Sequence, residues 1–135
     1  MKKKICIVVA NYYPDISKQL LTGSLKVLKK NNLNNIKIIY VPGIFEIPYI
    51  ISKNISKFDA FISLGCVIKG ETLHFELITE STTNALMQLS IIKKKPICHG
   101  IIACFNKKQA LERSNIHKKD KGGETAKALL KVFEI

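Results

Sequence analysis

The chain has 135 residues, with 22 Lys and Arg against 10 Asp and Glu, for a formal net charge of +12. Its composition, 47% hydrophobic and 24% charged, is that of a folded globular chain and excludes intrinsic disorder. No apolar run approaches the ~20 residues that cross a bilayer, and the stretch from Met1 to Val9 runs straight into a patterned segment. We therefore expect a cytoplasmic protein with neither leader peptide nor membrane anchor.

Strand and helix patterns alternate along the chain. Residues 5–10 are continuously apolar, as in a parallel strand covered on both faces. Ile16, Leu20, Leu21, Ser24, Val27 and Leu28 follow at helical spacing, with Asp15 placed to cap the start. Residues 36–41 form a second strand, stopped by Pro42-Gly43, and 47–55 a short helix with Pro48 in its first turn. A third strand lies within 58–67 and ends near Gly65-Cys66. Phe75, Ile78, Thr82, Ala85, Leu86 and Leu89 mark a long helix that Gly70-Glu71-Thr72 opens and Pro96 stops. Residues 97–104 make a fourth strand, and helices over 107–113 and 124–133 finish the chain.

Four strands separated by helices, without hairpin signals, define an α/β fold with right-handed crossovers. The expected architecture is a three-layer sandwich around a four-stranded parallel sheet in the flavodoxin-like order 2-1-3-4. No linker, internal repeat or low-complexity stretch interrupts it, so residues 1–135 read as one domain. In that order the ligand crevice lies outside the carboxyl ends of the first and third strands.

Lys supplies 21 of the 22 basic residues, beside 21 Ile and 9 Asn. That bias describes a solvated lysine surface. A nucleic-acid site recruits Arg and interleaves aromatics, and the Lys clusters near 2–4, 93–95 and 118–121 contain none. A positive field still draws small anions. Cys6, Cys66, Cys98 and Cys104 lack CxxC spacing and sit in strand-like runs, as reduced, mostly buried thiols do. Cys98-His99 and Cys104 lack zinc-ligand spacing, and alternate strand positions face opposite sides, so no metal site is expected.

The segments leaving strands one and three carry the chemistry. Gly70-Glu71-Thr72 offers free N–H groups at a helix start, which serve an anion or are simply capped. Neither GxxxxGK[ST] nor GxGxxG is present, which disfavours nucleoside triphosphates. His74, at the positive end of a helix dipole, is held neutral for proton transfer or hydrogen-bonds locally. Tyr12 stacks on a flat heterocycle or packs half-buried. Glu46 accepts from the N–H edge of such a ring or serves a helix start. Arg113, the lone Arg, matches a phosphate bidentately or complements a helix C-terminus. Cys66 is a weaker nucleophile candidate, with only His74 as a base.

Val41-Pro42-Gly43-Ile44-Phe45-Glu46-Ile47-Pro48 closely resembles the lumazine synthase family. The match continues through Leu64-Gly65-Cys66-Val67-Ile68-Lys69-Gly70-Glu71-Thr72-Leu73-His74-Phe75, then Gln109-Ala110-Leu111-Glu112-Arg113 and Lys121-Gly122-Gly123-Glu124. The resemblance implies a transferase of riboflavin biosynthesis. It condenses 5-amino-6-(D-ribitylamino)uracil with 3,4-dihydroxy-2-butanone 4-phosphate, releasing phosphate and water, with no cofactor and no metal. By position it implies that Tyr12 stacks on the pyrimidine, where Phe or Trp is usual, and that Ile44, Phe45, Glu46, Cys66, Val67 and Ile68 hold the ring and ribityl chain. Glu71, Thr72 and Arg113 then serve the phosphate, His74 transfers protons, and Lys121 and Glu124 are further charges near the site. The resemblance also implies a pentamer with sites between neighbouring subunits, Arg113 and His99 coming from the adjacent chain. A 60-subunit shell and a functional association with riboflavin synthase are family possibilities. His99 stands where the family has Phe, and Asp120 where Asn is usual. Two alternatives of the same fold are an archaeal-type riboflavin synthase, which uses two lumazine molecules, and a catalytically silent shell or binding protein.

Overall fold

A computed structural model describes residues 2–135; Met1 lies outside the described residues. The elements alternate as β1 (Ile5–Ala10), α1 (Pro14–Lys30), β2 (Ile36–Val41), a 3₁₀ turn (Ile44–Glu46), α2 (Ile47–Lys53), β3 (Ala60–Ile68), α3 (His74–Lys93), β4 (Ile97–Cys104), α4 (Lys107–Ser114) and α5 (Lys121–Glu134). All four strands are parallel, in the order β2-β1-β3-β4. The period-2 alternation of the strands divides the core. Ile5, Ile7 and Val9 face Ile16, Leu20 and Leu28 of α1 and Ala126 and Leu129 of α5, while Cys6, Val8 and Phe61 face Ile47, Ile51 and Leu86 on the other side. Two helical layers thus enclose the sheet, as expected for the three-layer, flavodoxin-like architecture. No helix among the described residues is long and apolar enough to cross a membrane.

Several local expectations need correction. Asp15 does not cap α1: Tyr13 is the N-cap, without a side-chain bond, and Pro14 opens the helix because its missing N–H costs nothing there. Asp15 sits in the first turn and pairs with Lys107 at 3.4 Å. Residues 70–73 form a turn, and α3 begins only at His74. Its other end is closed by Lys94 in the left-handed conformation (φ 54°), two residues before Pro96. α2 is shorter than expected, and β3 is shifted to Ala60–Ile68. α5 starts at Lys121 because Asp120, itself left-handed at φ 45°, accepts the Gly123 N–H at 3.1 Å. The glycines after it let α5 lie against α1: a Cβ on Gly122 would collide with the Leu20 backbone carbonyl, and Ser24 Oγ donates to the Gly122 carbonyl at 2.6 Å.

Candidate functional site

The chain leaves β1 at Asn11 and β3 at Ile68, and between these ends opens a cleft of about 410 Å³. Tyr12, Ile44, Phe45, Glu46, Cys66, Val67, Ile68 and His74 all line it. Beside the cleft, Gly65 packs closely against Ile44: a Cβ there would stand 2.8 Å from Ile44 Cγ2 and 3.0 Å from Ala10 Cβ. Tyr12 is 71% exposed and held edge-on to Tyr13, ring centroids 4.9 Å apart at 79°. The other large exposed ring on the cleft is Phe45. An apolar cleft with open aromatic faces suits a flat heterocycle.

The polar groups are few and placed by local bonds. The 3₁₀ turn carries Glu46 into the cleft, and Glu46 Oε1 accepts the Gly43 N–H at 2.9 Å. One carboxylate oxygen is therefore committed to the turn and the other remains for a ligand's N–H edge. His74 opens α3 with an exposed side chain, and its N–H donates to Thr72 Oγ1 at 3.3 Å. Thr72 and Glu71 do not line the cleft; they sit exposed on the turn beside it. The backbone N–H groups of Gly70, Glu71 and Thr72 meet no acceptor among the described residues, leaving donors at the rim.

The remaining candidates lie elsewhere. His99, Arg113 and Lys121 line a second cleft of about 280 Å³ along β4, between α4 and α5. Lys121 pairs with Glu124 at 3.3 Å, and Glu124 does not line that cleft. Arg113, half-buried in the last turn of α4, draws the Cys104 thiol toward ionisation, against a larger opposing effect of burial. The Thr83 hydroxyl lies 3.2 Å from His99 Nε2, and partial dehydration of the ring lowers its proton affinity although its outer edge is open to solvent.

The surroundings of Cys66 disfavour a nucleophilic role. Burial, reinforced by the neighbouring Cys104, pushes its thiol up to about 12, far from the thiolate that attack requires. Tyr13, Pro42, Gly43 and Ile78 also line the first cleft, and the sequence alone assigns none of them a site role. Of these, Tyr13 adjoins Tyr12 and Gly43 sits in the quoted Pro42-Gly43 motif, so both signals were present. Ile78 reads only as part of a helix stripe. Among the described residues no cluster of His, Cys, Asp or Glu is disposed to hold a metal ion.

A doubly wound parallel sheet, with an aromatic, a carboxylate and a histidine in a cleft where the strand order reverses, defines an α/β protein built to bind a small molecule. A family model described as 6,7-dimethyl-8-ribityllumazine synthase matches residues 2–135, and the chain belongs to that family. Among its relatives, the 6,7-dimethyl-8-ribityllumazine synthase of Limosilactobacillus reuteri is 36% identical over 134 residues, 98% of this chain and 88% of the relative. The proteins of the same name from Buchnera aphidicola subsp. Baizongia pistaciae and Bartonella henselae are 41% and 43% identical. Their alignments cover 99% and 96% of this chain, and 87% and 85% of the relatives.

Proposed function

We propose that this protein is a lumazine synthase of riboflavin biosynthesis, condensing 5-amino-6-(D-ribitylamino)uracil with 3,4-dihydroxy-2-butanone 4-phosphate. The reading is carried by the convergence of Tyr12, Glu46 and His74 on one cleft at the switch point of the sheet. Each meets one need of the chemistry. Tyr12 stacks on the pyrimidine, Phe45 helps to hold it in the cleft, and the free Glu46 oxygen accepts from its N–H edge. Ile44, Cys66, Val67 and Ile68 wall the ribityl chain.

The 5-amino group attacks the ketone carbonyl, and loss of water gives an imine. Phosphate then leaves, and the ribitylamino nitrogen closes the second ring with loss of a further water. Holding both substrates in contact contributes ~7–11 kcal/mol of barrier lowering in favourable cases. His74 takes and returns the protons of these steps, a contribution of roughly 10²–10⁴-fold. The unpaired N–H groups of residues 70–72, with Glu71 and Thr72 on the same turn, receive the phosphate side.

Arg113 and His99 occupy a different cleft of the same chain, which supports the reading that they serve this site from an adjacent copy. We read the working unit as a pentamer of single-domain chains in the cytoplasm, as the family resemblance implies. A larger shell and association with riboflavin synthase belong to the same reading. Lys121 and Glu124 then add charge at the shared boundary. Every relative named above is a lumazine synthase, which favours this activity over the riboflavin synthase and silent-shell alternatives.

Mixing purified protein with both substrates should raise the absorbance of 6,7-dimethyl-8-ribityllumazine. Riboflavin formed only when lumazine itself is supplied, or no product at all, would overturn the assignment.

A further inference from the structure

The turn that carries Glu71, Thr72 and His74 is pinned at its two ends by one ion pair. Lys69, one residue past β3, places its ammonium 3.4 Å from Glu76 Oε1, in the first turn of α3. The backbone N–H of Lys69 donates to the Cys104 carbonyl at 2.9 Å, fixing its stem to the end of β4. Its ammonium also stands 5.8 Å from the Phe105 ring centroid. The pair thus closes a loop of residues 70–75 against β3 and β4. Glu76 Oε2 is buried and meets no donor among the described residues, so Lys69 is the carboxylate's counter-charge. Neither residue lines the cleft.

We propose that Lys69 and Glu76 are positioning residues: their ion pair holds the 70–73 turn and the start of α3 in the geometry that presents the turn's N–H groups to the phosphate and His74 to the cleft. This rests on the lumazine synthase reading for the identity of the ligand. The alternative use of a lysine at this place is direct phosphate binding, and the two uses predict opposite signs. If Lys69 served the phosphate itself, removing the competing Glu76 would free the ammonium and lower the KM for the butanone phosphate. As a brace, Glu76 is needed, and its removal raises that KM.

The test is steady-state kinetics of Glu76→Gln, Lys69→Met, Lys69→Arg and the charge-swapped Lys69→Glu/Glu76→Lys, with hydrogen exchange at the His74 and Leu77 amides. Both pair-breaking variants should raise the butanone phosphate KM about three- to ten-fold, leaving the pyrimidine KM nearly unchanged. Lys69→Arg should keep the wild-type value, and the swapped pair should regain most of it. Exchange at the two amides should quicken in the broken variants alone. A lower KM in Glu76→Gln would make Lys69 a phosphate ligand and overturn the brace. So would unchanged kinetics with a merely lower melting temperature. A wild-type protein that makes no lumazine would defeat the assigned activity. The exchange measurement still decides the brace in that case: unchanged exchange in Glu76→Gln sinks it.

Discussion

His99 Nε2 and the Thr83 hydroxyl oxygen lie 3.2 Å apart, tying edge strand β4 to the middle of α3 across the face of the sheet. Partial burial lowers the imidazole's proton affinity, so the folded pKa falls below the ordinary histidine value of 6.5. As pH drops through that value the unfolded chain takes up the proton first. The stability His99 contributes is therefore complete above about 6.5 and is lost as acid titrates down toward the folded pKa. Urea midpoints measured between pH 7.5 and 5.5 should fall less in His99→Gln than in the parent protein, by a small margin since the ring's outer edge meets solvent. Parallel pH profiles would remove this role from His99.

The thiol beside the proposed pyrimidine site should be chemically quiet. With Cys66 pushed up to about 12 and Cys6 and Cys98 to about 11, iodoacetamide at pH 8 should modify the native protein slowly and the unfolded chain fast. Cys66→Ala should keep turnover within about three-fold, because no covalent step passes through sulfur. Loss of turnover with an intact fold would restore Cys66 as a nucleophile.

The layered fold was legible because the buried strands speak plainly. An unbroken run such as Ile5 to Ala10 fits only a strand covered on both faces. Tyr12 and His74 were legible because they follow strand ends, whereas Ile44, Phe45, Val67 and Ile68 came only with the family resemblance. Caps were not. Asp15 looks like a cap, but Pro14 takes the opening position, and Asp120, hidden in a lysine-rich stretch, caps α5 from a left-handed backbone. The Lys69–Glu76 and Thr83–His99 pairs join elements that meet only after folding, so no periodicity announces them. The separation of Arg113 from His74 into two clefts is likewise a property of space; only the family resemblance anticipated it.

The contact between α1 and α5 depends on the absence of a side chain. Gly122→Ala drives a methyl into the Leu20 backbone carbonyl, with no flexible group to yield. We expect a loss of about 2–4 kcal/mol in urea unfolding. Wild-type stability would mean that α5 can slide without cost.

The two proposed chemical groups should fail differently. His74→Ala should lower kcat by roughly 10²-fold or more while circular dichroism stays unchanged. Arg113→Ala should weaken butanone phosphate binding far more than pyrimidine binding, because a guanidinium grips phosphate with two parallel hydrogen bonds. Equal weakening of both substrates would place Arg113 outside the phosphate site.

The most direct measurement combines these variants. His74→Ala and Arg113→Ala chains, assayed at a butanone phosphate concentration where each alone is strongly impaired, are unfolded together in equal amounts and refolded, and lumazine formation is followed. If each site joins one copy's His74 to its neighbour's Arg113, random mixing rebuilds about one quarter of the interfaces intact, and activity returns in that proportion. Refolded mixtures no more active than the separate variants, although mass measurement shows mixed assemblies, would contradict a site shared between two copies.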